Sequence, residues 1–334
     1  MALAAPVVAR SSMKAVVIDK PVSLGSLGLS ETPVPAVPDD SMLVRVLASS
    51  VNPVDLFPTT LAGYLMGGRK PAVLGTDFAG VVESVGKDVT AFRPGDKVFG
   101  GGKGAFAEYM CVRASRAVVP KPVGLSFELA GTVAVAAGTA LQALRDHGGL
   151  ESGQEALING ASGGVGTFAV QIARALGASV TAVCSTQNLE LARSLGASTV
   201  IDYTRSDFTQ SGLRFDLVID IAGTHPLSTF RRVMTPTGTY VGVGAAGVQH
   251  RALGSWRAIG HFLRTRVTAL GSRQKVVSLF IANLTGELMA DLASLLADGR
   301  VIPVIDRRYS LGEVSAALRY LEEGHARAKV AISV

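Results

Sequence analysis

The sequence predicts an α/β protein in which a compact β-barrel is joined to a doubly wound parallel sheet. Three observations support this prediction. The N-terminal part consists of short apolar stretches separated by turns that contain proline and glycine, which is typical of a barrel. Apolar strands and helices then alternate, which indicates parallel strands joined by right-handed crossovers. A glycine-rich turn, GASGGVG (160–166), connects the first of these strands to its helix.

The composition is that of a globular protein. The chain has 334 residues, of which 48% are hydrophobic and 17% charged, and this length suffices for two domains. No apolar run reaches the ~18 residues that a membrane helix needs. The net charge is +6, but Lys and Arg form no dense cluster and few aromatic residues lie among them, so we expect no nucleic-acid partner.

Cys111 and Cys184 are the two cysteines, and each stands alone in an apolar stretch. Because they lack CxxC spacing, we expect buried thiols rather than a metal cluster or a disulfide framework. This favours a reducing compartment and a cytoplasmic location. The N-terminal MALAAPVVARSS lacks the apolar core of a secretory signal. We expect an unstructured tail there; a targeting remnant or a non-native extension are the alternatives.

The barrel strands come first along the chain. They are predicted at 13–19, 41–51, 77–86, 95–100 and 105–114. The segments VPDD, FRPGD and VPKP provide the corners between them. The Ala- and Leu-rich stretch 126–150 follows and is predicted to be helical, with Ser126 able to cap it.

The strands and helices of the parallel sheet come next. Strands are predicted at 155–160, 179–185, 198–203, 215–223, 238–245 and 266–272, and helices after the glycine-rich turn and at 188–195 and 226–234. The chain is predicted to close with a helix at 283–298, a strand at 301–310, a helix at 311–323 and a strand at 328–334.

The glycine-rich turn predicts a dinucleotide site with an A-x-G-x-x-G pattern. Its six residues are Ala161, Ser162, Gly163, Gly164, Val165 and Gly166. Gly163 lets the backbone approach a pyrophosphate, and Gly166 lets the helix pack closely on the sheet. The helix N-terminus adds N–H donors and a partial positive charge. The strand before the turn and the helix after it give the context that such a site requires; a purely structural turn is the alternative.

The end of the second strand predicts which dinucleotide binds. An NAD site usually has an acidic residue there, which bonds the ribose 2′-OH. This chain instead has Ser185, Thr186 and Asn188, none of which would repel a 2′-phosphate. Tyr203, at the end of the next strand, could help to hold the phosphate or the adenosine. We therefore expect NADPH, with NADH possible; ordinary polar loop residues are the alternative.

Seven motifs carry a resemblance to a known family. They are SSVNPVD (49–55), LGTDFAGVVESVG (74–86), FRPGDKVFG (92–100), AGTALQAL (137–144), the turn and its helix (160–178), VIDY (200–203) and YLEEGHARAKVAISV (320–334). In this order they resemble the medium-chain dehydrogenase/reductase superfamily, most closely its zinc-free quinone oxidoreductase-like branch. The resemblance implies a GroES-like catalytic domain (1–134), a Rossmann cofactor domain (135–271) and a return to the catalytic domain (272–334). It also implies NAD(P)H between the domains and a homodimer.

The resemblance also bears on metal binding. Zinc members of the superfamily have a cysteine where this chain has Asn52 and a histidine where it has Thr76. Zinc needs three or four Cys, His or carboxylate ligands, so we expect no metal. Without that Lewis acid, the expected reaction is hydride transfer to a small molecule that is already electrophilic, a quinone or an α,β-unsaturated carbonyl. The alternatives are a reductase of one dedicated biosynthetic intermediate and a nucleotide-binding protein with little turnover.

The resemblance implies four candidate catalytic residues. Asn52 would lie near the nicotinamide and the substrate, and Thr139 near the nicotinamide ribose. Asp55 would order the Asn52 loop, or act as a helix N-cap. Tyr64 would donate a proton or anchor a carbonyl, with simple packing as the alternative for the tyrosine and solvent as the alternative proton source.

Further cofactor contacts follow from the expected fold. Ligands bind at the carboxyl ends of parallel strands, which here gives Ala222, Gly223, Val243 and Gly244. By resemblance, Lys329 touches the cofactor or seals the domain interface. One departure weakens the NADPH prediction, because relatives often have arginine where this chain has Gln187.

The stretch 249–267 combines apolar and basic residues. Trp256, Ile259 and Leu263 have helical spacing. We expect a lid over the cleft or a dimer-contact helix. A helix on a membrane surface is the alternative, although no membrane partner is expected.

Overall fold

The computed structural model describes residues 11–67, 71–243, 273–278, 282–324 and 326–334. The predictions for residues 1–10, for Gly244, for the strand 266–272 and for the stretch 249–267 fall outside these residues.

The N-terminal part forms the five predicted barrel strands, three further strands that were not predicted, and short helices beside them. The strands are β1 (Ser12–Ile18), β2 (Leu29–Pro33), β3 (Ser41–Val51), β4 (Ala72–Val73), β5 (Asp77–Val85), β6 (Lys97–Gly101), β7 (Tyr109–Arg113) and β8 (Val118–Pro120). Helices α1 (Pro53–Leu56) and α2 (Leu61–Met66) follow β3 directly. The long strand β3 pairs with β5 along most of its length and with β7 at its start.

The stretch predicted as helical at 126–150 is helical but broken. It contains α3 (Phe127–Ala130), α4 (Ala134–Leu141) and a π-helical turn (Gln142–His147). Ser126 caps α3 by accepting a hydrogen bond from the Leu129 N–H. Gly131 lies against the β3 backbone, where an added β-carbon would lie 2.9 Å from the Ala48 carbonyl. The break therefore lets the helical segment pack closely on the barrel.

A parallel sheet with alternating helices follows along the chain, as predicted. Its elements are β9 (Glu155–Asn159), α5 (Gly164–Ala175), β10 (Ser179–Cys184), α6 (Leu189–Ser194), β11 (Thr199–Asp202), β12 (Phe215–Asp220), α7 (Leu227–Arg231), β13 (Met234–Gly242) and β14 (Lys275–Ser278). In the described part of the chain the strand order is β11-β10-β9-β12-β13-β14. The order reverses between β9 and β12, which is where a doubly wound sheet binds its ligand.

The C-terminal residues return to the barrel. They form α8 (Gly286–Ala297), β15 (Ile305–Ser310), α9 (Val314–Glu322) and β16 (Lys329–Ser333). Strand β15 begins four residues later than predicted, after Pro303, which has no N–H for a strand ladder. Strand β16 lies between β15 and β3 and pairs antiparallel with β3. Its first residue therefore lies next to the end of β3.

Two predictions about the rest of the chain can be compared with the fold. Cys184 is buried as expected, but Cys111 is only partly buried, because alternate residues of β7 face away from the core. Within the described residues, no helix is both long and apolar enough to cross a membrane.

Candidate active site

The glycine-rich turn between β9 and α5 has the geometry of a phosphate cradle. A β-carbon at Gly166 would lie 2.1 Å from the Gly160 carbonyl oxygen, so only glycine lets α5 approach the turn. At Gly163 the nearest atom would be 3.6 Å away, which leaves the outer side of the turn open. No side chain in the described residues caps α5. The first-turn N–H groups are therefore available to a pyrophosphate.

Ala161 fits this turn without strain. Its φ is not positive, so the position does not require glycine. The residue is fully buried and its N–H donates to the Val183 carbonyl at the end of β10. The turn therefore accommodates alanine at the position where the usual pattern has its first glycine.

The start of β16 lies against this turn. The Ala328 N–H donates to the Ser162 carbonyl over 2.8 Å. A β-carbon added at Gly164 would lie 3.5 Å from Cδ of Lys329, so the lysine stem passes directly beside the turn. The aliphatic stem of Lys329 thus packs beside the predicted pyrophosphate site.

Lys329 ends in a buried polar cluster. Its Nζ donates to Asn52 Oδ1 over 2.5 Å and lies 3.3 Å from Asp77 Oδ2. The Asn52 amide also donates to Asp77 Oδ2, over 2.9 Å. The side chains of Lys329 and Asp77 are 3% and 0% exposed, so this ion pair is shielded from water.

Asp77 ties the cluster to three parts of the fold. It accepts hydrogen bonds from the Ser50 hydroxyl on β3 and from the Val135 N–H at the start of α4. Its own strand, β5, begins at this residue. Asp77 was not among the predicted site residues because, in LGTDFAG, it looks like an ordinary strand start. The signal that could have found it is a charged residue at the edge of an otherwise apolar strand.

Asp55 belongs to the same cluster. Asn52 is the N-cap of α1 and its N–H donates to Asp55 Oδ2 over 2.7 Å, while the Thr76 hydroxyl donates to Asp55 Oδ1 over 2.8 Å. Asp55 is therefore the third residue of the helix and not its N-cap. Burial raises its pKa from 3.8 to about 7, although the two hydrogen bonds oppose this shift.

The other two candidate catalytic residues occupy different positions. Thr139 lies on α4, one turn after Val135, and its hydroxyl donates to the Val135 carbonyl. It therefore lies close along the helix to the N–H that holds Asp77. Tyr64 lies on α2 and is partly buried.

The loop after β10 brings together three of the residues predicted for the adenosine side. The Asn188 amide donates to the hydroxyl of Ser185 and to that of Ser162 in the glycine-rich turn. Thr186 is exposed, and its hydroxyl donates to Asp202 Oδ2 over 2.5 Å. Tyr203 follows Asp202 and is 60% exposed, so its ring is open to a ligand.

Two residues near this loop were missed. Asp202 ends β11 and places a carboxylate beside Thr186, and hydrogen bonds from Thr186 and Thr204 lower its pKa. Arg327 reaches the loop from the segment before β16, and its guanidinium donates to the Gln187 side chain. The motif YLEEGHARAKVAISV contained Arg327, but nothing in its spacing indicated which loop it would meet.

The ends of β12 and β13 complete the cleft. Asp220, the last residue of β12, is fully buried and accepts hydrogen bonds from the Asn159 amide, the Gly223 N–H and the Tyr240 hydroxyl. These bonds fix the loop that holds the predicted residues Ala222 and Gly223 beside the glycine-rich turn. The Val243 N–H donates to the Asp220 carbonyl, so Val243 lies at the same edge. Asp220 was also missed, although its position at a strand end could have revealed it.

Within the described residues, no group of three or more His, Cys, Asp or Glu side chains could hold a metal ion. Asn52 and Thr76 are neutral, and both take part in hydrogen bonds within the buried cluster. The cluster therefore places an ammonium, held by an amide and a carboxylate, beside a phosphate cradle.

Comparison with known proteins agrees with this geometry. Residues 38–123 match the family model for the alcohol dehydrogenase GroES-like domain, and residues 195–332 match the model for zinc-binding dehydrogenases. The chain is 33% identical to the mitochondrial NAD(P)H oxidoreductase RTN4IP1 of Mus musculus, over 88% of this chain and 82% of the relative. It is 35% identical to 2-methylene-furan-3-one reductase of Solanum lycopersicum, over 91% of this chain and 74% of the relative.

A solved structure extends the likeness to the whole fold. The quinone oxidoreductase from Coxiella burnetii superposes with a TM-score of 0.82 at 29% identity, covering 97% of this chain and 99% of that one.

Proposed function

The chain belongs to the medium-chain dehydrogenase/reductase superfamily, and from that premise we propose that it is a zinc-independent, NADPH-dependent reductase of quinones or α,β-unsaturated carbonyls. The proposal includes the predicted domain division at residues 134 and 271, although β14 continues the parallel sheet beyond the second boundary. It also includes a homodimer and a cytoplasmic location.

The observation that carries the proposal is the buried cluster of Lys329, Asn52 and Asp77 beside the glycine-rich turn. A reductase without a metal must stabilise the negative charge that develops on the acceptor oxygen by other means. The Lys329 ammonium would serve as this donor in a site shielded from water, where such donors are most effective. The Asn52 side chain holds it in place, because its Oδ1 accepts from the ammonium while its Nδ2 donates to Asp77 Oδ2 and to the Ser50 carbonyl. Asp77 orients the ammonium through their buried ion pair.

The residues of the cleft fit a nicotinamide dinucleotide. The open turn at Gly163 and the uncapped start of α5 would hold the pyrophosphate. The loop of Ser185 and Asn188 would hold the adenosine ribose, and the β12 and β13 ends would face the nicotinamide. When bound, the reduced nicotinamide supplies the hydride. The protein then has to orient the acceptor, exclude water and stabilise the developing charge.

The class of acceptor is proposed from these roles, in which the nicotinamide supplies the hydride and the protein stabilises the developing charge. Without a Lewis acid to polarise it, an ordinary alcohol or carbonyl is a poorer partner for hydride transfer than a substrate that is already electrophilic. Quinones and enones meet this requirement. The names of the quinone oxidoreductase and the furanone reductase among the similar proteins support the same class.

The test is NADPH consumption against a panel of quinones, enones and saturated carbonyls, with alcohols and NADP⁺ assayed in the reverse direction. We expect turnover of quinones or enones and none of alcohols. Turnover of alcohols alone would overturn the proposal, and NADPH binding without any turnover would favour a nucleotide-binding protein. Asn52→Ala should lower kcat more than it weakens NADPH binding, because the proposed role of its amide is to hold the Lys329 ammonium that would stabilise the acceptor charge. The reverse pattern would remove Asn52 from that role.

A further inference from the structure

We infer that Gln171, on α5, is a positioning residue that sets the place of the Lys329 ammonium relative to the glycine-rich turn. It would act through Ile302, in the link between α8 and β15, and from there through the start of β16. The inference rests on the proposed function, because the ammonium that Gln171 positions is the proposed donor to the acceptor.

The first support is the pairing of the Gln171 side chain with the main chain of Ile302. The Ile302 N–H donates to Gln171 Oε1 over 2.8 Å, and Gln171 Nε2 donates to the Ile302 carbonyl over 3.0 Å. The same Nε2 donates to the Thr167 carbonyl, one turn earlier on α5, over 2.9 Å. The side chain is 6% exposed, and these three bonds use both its donors and its oxygen. The amide therefore fixes Ile302 against the helix that begins at the glycine-rich turn.

The second support is the short path from Ile302 to Lys329. Pro303 follows Ile302, is buried, and has a ring that fixes its φ, so this part of the link is stiff. The carbonyl of the next residue, Val304, accepts a hydrogen bond from the Lys329 N–H over 3.0 Å. Lys329 is the first residue of β16, and its ammonium donates to Asn52 Oδ1. A shift of Ile302 would therefore move the backbone that carries the ammonium.

The third support is that this path adds a second point of attachment for the start of β16. The first point is the hydrogen bond from the Ala328 N–H to the Ser162 carbonyl in the glycine-rich turn, over 2.8 Å. One hydrogen bond fixes a distance but not the orientation of the strand. The path through Gln171 holds the neighbouring residue, Lys329, to the helix that follows the same turn. Two attachments together fix where the lysine stem starts.

A second glutamine makes the same kind of pairing and provides a matched control. Gln142 Nε2 donates to the Asn283 carbonyl over 2.8 Å, and the Asn283 N–H donates to Gln142 Oε1 over 3.1 Å. This pairing also crosses the proposed boundary at residue 271. Asn283 lies before α8 and Ile302 after it, so the path from Ile302 to Lys329 does not include this pairing. Loss of the Gln142 amide should therefore leave the ammonium in place.

The experiment compares Gln171→Leu with Gln142→Leu, after circular dichroism has confirmed that both variants are folded. Amide hydrogen exchange followed by mass spectrometry measures the attachment of β16 without turnover. In Gln171→Leu, the peptides that contain Ile302 and Lys329 should exchange faster by roughly 2- to 10-fold, the effect of losing about one hydrogen bond. In Gln142→Leu, both peptides should exchange as in the wild type.

Steady-state kinetics with NADPH and the best acceptor of the quinone and enone panel measure the positioning. Gln171→Leu should lower kcat by roughly 10- to 100-fold, because misplacing a reacting group by about 1 Å costs that much. The KM for NADPH should change little, since the glycine-rich turn is intact, and Gln142→Leu should change neither quantity. In the background Lys329→Met, Asp77→Asn, the Gln171→Leu substitution should lower kcat no further, because the group that it positions is gone.

The outcomes separate the inference from the proposed function. If exchange near Lys329 is unchanged, or if kcat falls no more than in Gln142→Leu, the inference is wrong while the proposed function stands. An equal fall of kcat in the background without Lys329 would show a general structural role and would also overturn it. If Gln171→Leu does not fold, Gln171→Glu replaces it in the same comparisons, because it keeps the acceptor for the Ile302 N–H. If the wild type reduces no acceptor, the proposed function fails and the inference fails with it.

Discussion

Removing the Lys329 ammonium should lower the free energy of unfolding by much more than removing one partner of an exposed ion pair would. The Lys329→Met variant leaves Asp77 charged at a fully buried position. Breaking a buried ion pair from one side costs about 3–5 kcal/mol, because the remaining charge is uncompensated. Asp77 keeps the hydrogen bonds from Ser50 and Val135, so we expect the lower end of that range, about 3 kcal/mol.

The double variant Lys329→Met, Asp77→Asn tests the reason for that cost. It removes both charges and should be more stable than Lys329→Met alone, because no unpaired ion remains. The exposed pair of Lys87 and Asp39 is the matched control. Its N···O distance is 2.8 Å, but its side chains are 73% and 60% exposed, so Lys87→Met should cost less than about 1 kcal/mol.

Urea unfolding followed by circular dichroism measures these differences as shifts of the midpoint. If Lys329→Met costs no more than Lys87→Met, the buried pair is not a source of stability. If the double variant is less stable than either single variant, the loss does not come from an unpaired charge. Either result would refute the reasoning.

The remaining predictions concern Asp55 and the glycine-rich turn. Burial raises the pKa of Asp55 from 3.8 to about 7, so the folded state holds its proton more tightly than the unfolded state. This group therefore stabilises the folded state fully below pH ~4, and the stabilisation is lost as the pH rises through about 7, by on the order of 4 kcal/mol. Urea unfolding should show that the free energy of unfolding of the wild type falls over this range relative to that of Asp55→Asn. If the two proteins have the same dependence of this free energy on pH, the prediction is wrong. Gly166→Ala should abolish NADPH binding or folding, because its β-carbon would lie 2.1 Å from the Gly160 carbonyl oxygen. Gly163→Ala should fold normally, because the nearest atom to its β-carbon would be 3.6 Å away. Thermal melts compare the folding of the two variants, and equal melting temperatures would count against the turn geometry.

Local patterns made much of the fold predictable. The strands and helices of the parallel sheet follow from alternating apolar segments, and the glycine-rich turn follows from short-range sterics at Gly163 and Gly166. The barrel strands follow from their prolines and glycines. The break in the helical stretch at Gly131 could not be derived in the same way, since it depends on contact with β3.

The buried cluster shows where local patterns end. Lys329 and Asp77 are separated by 252 residues, and their contact arises because β16 returns to lie beside β3. Since charged residues are common at the starts of strands, Asp77 gave no sign of its partner. Asn52 and Asp55 were found only because SSVNPVD resembles a family motif.

The adenosine side shows the same limit. The absence of an acidic residue in the loop after β10 was visible in the sequence. The carboxylate of Asp202 and the guanidinium of Arg327 were not visible as neighbours of that loop, because one comes from the next strand and the other lies 140 residues from Gln187.

We propose that the protein passes a hydride from the nicotinamide directly to an activated acceptor. The most direct test of this transfer is turnover of an enone with NADPH that carries deuterium at both C4 positions, followed by mass spectrometry of the product. The account predicts a saturated product with a single deuterium at the β-carbon, formed at an unchanged rate after dialysis against a chelator. A product without deuterium, or activity that disappears with the chelator and returns with zinc, would contradict it.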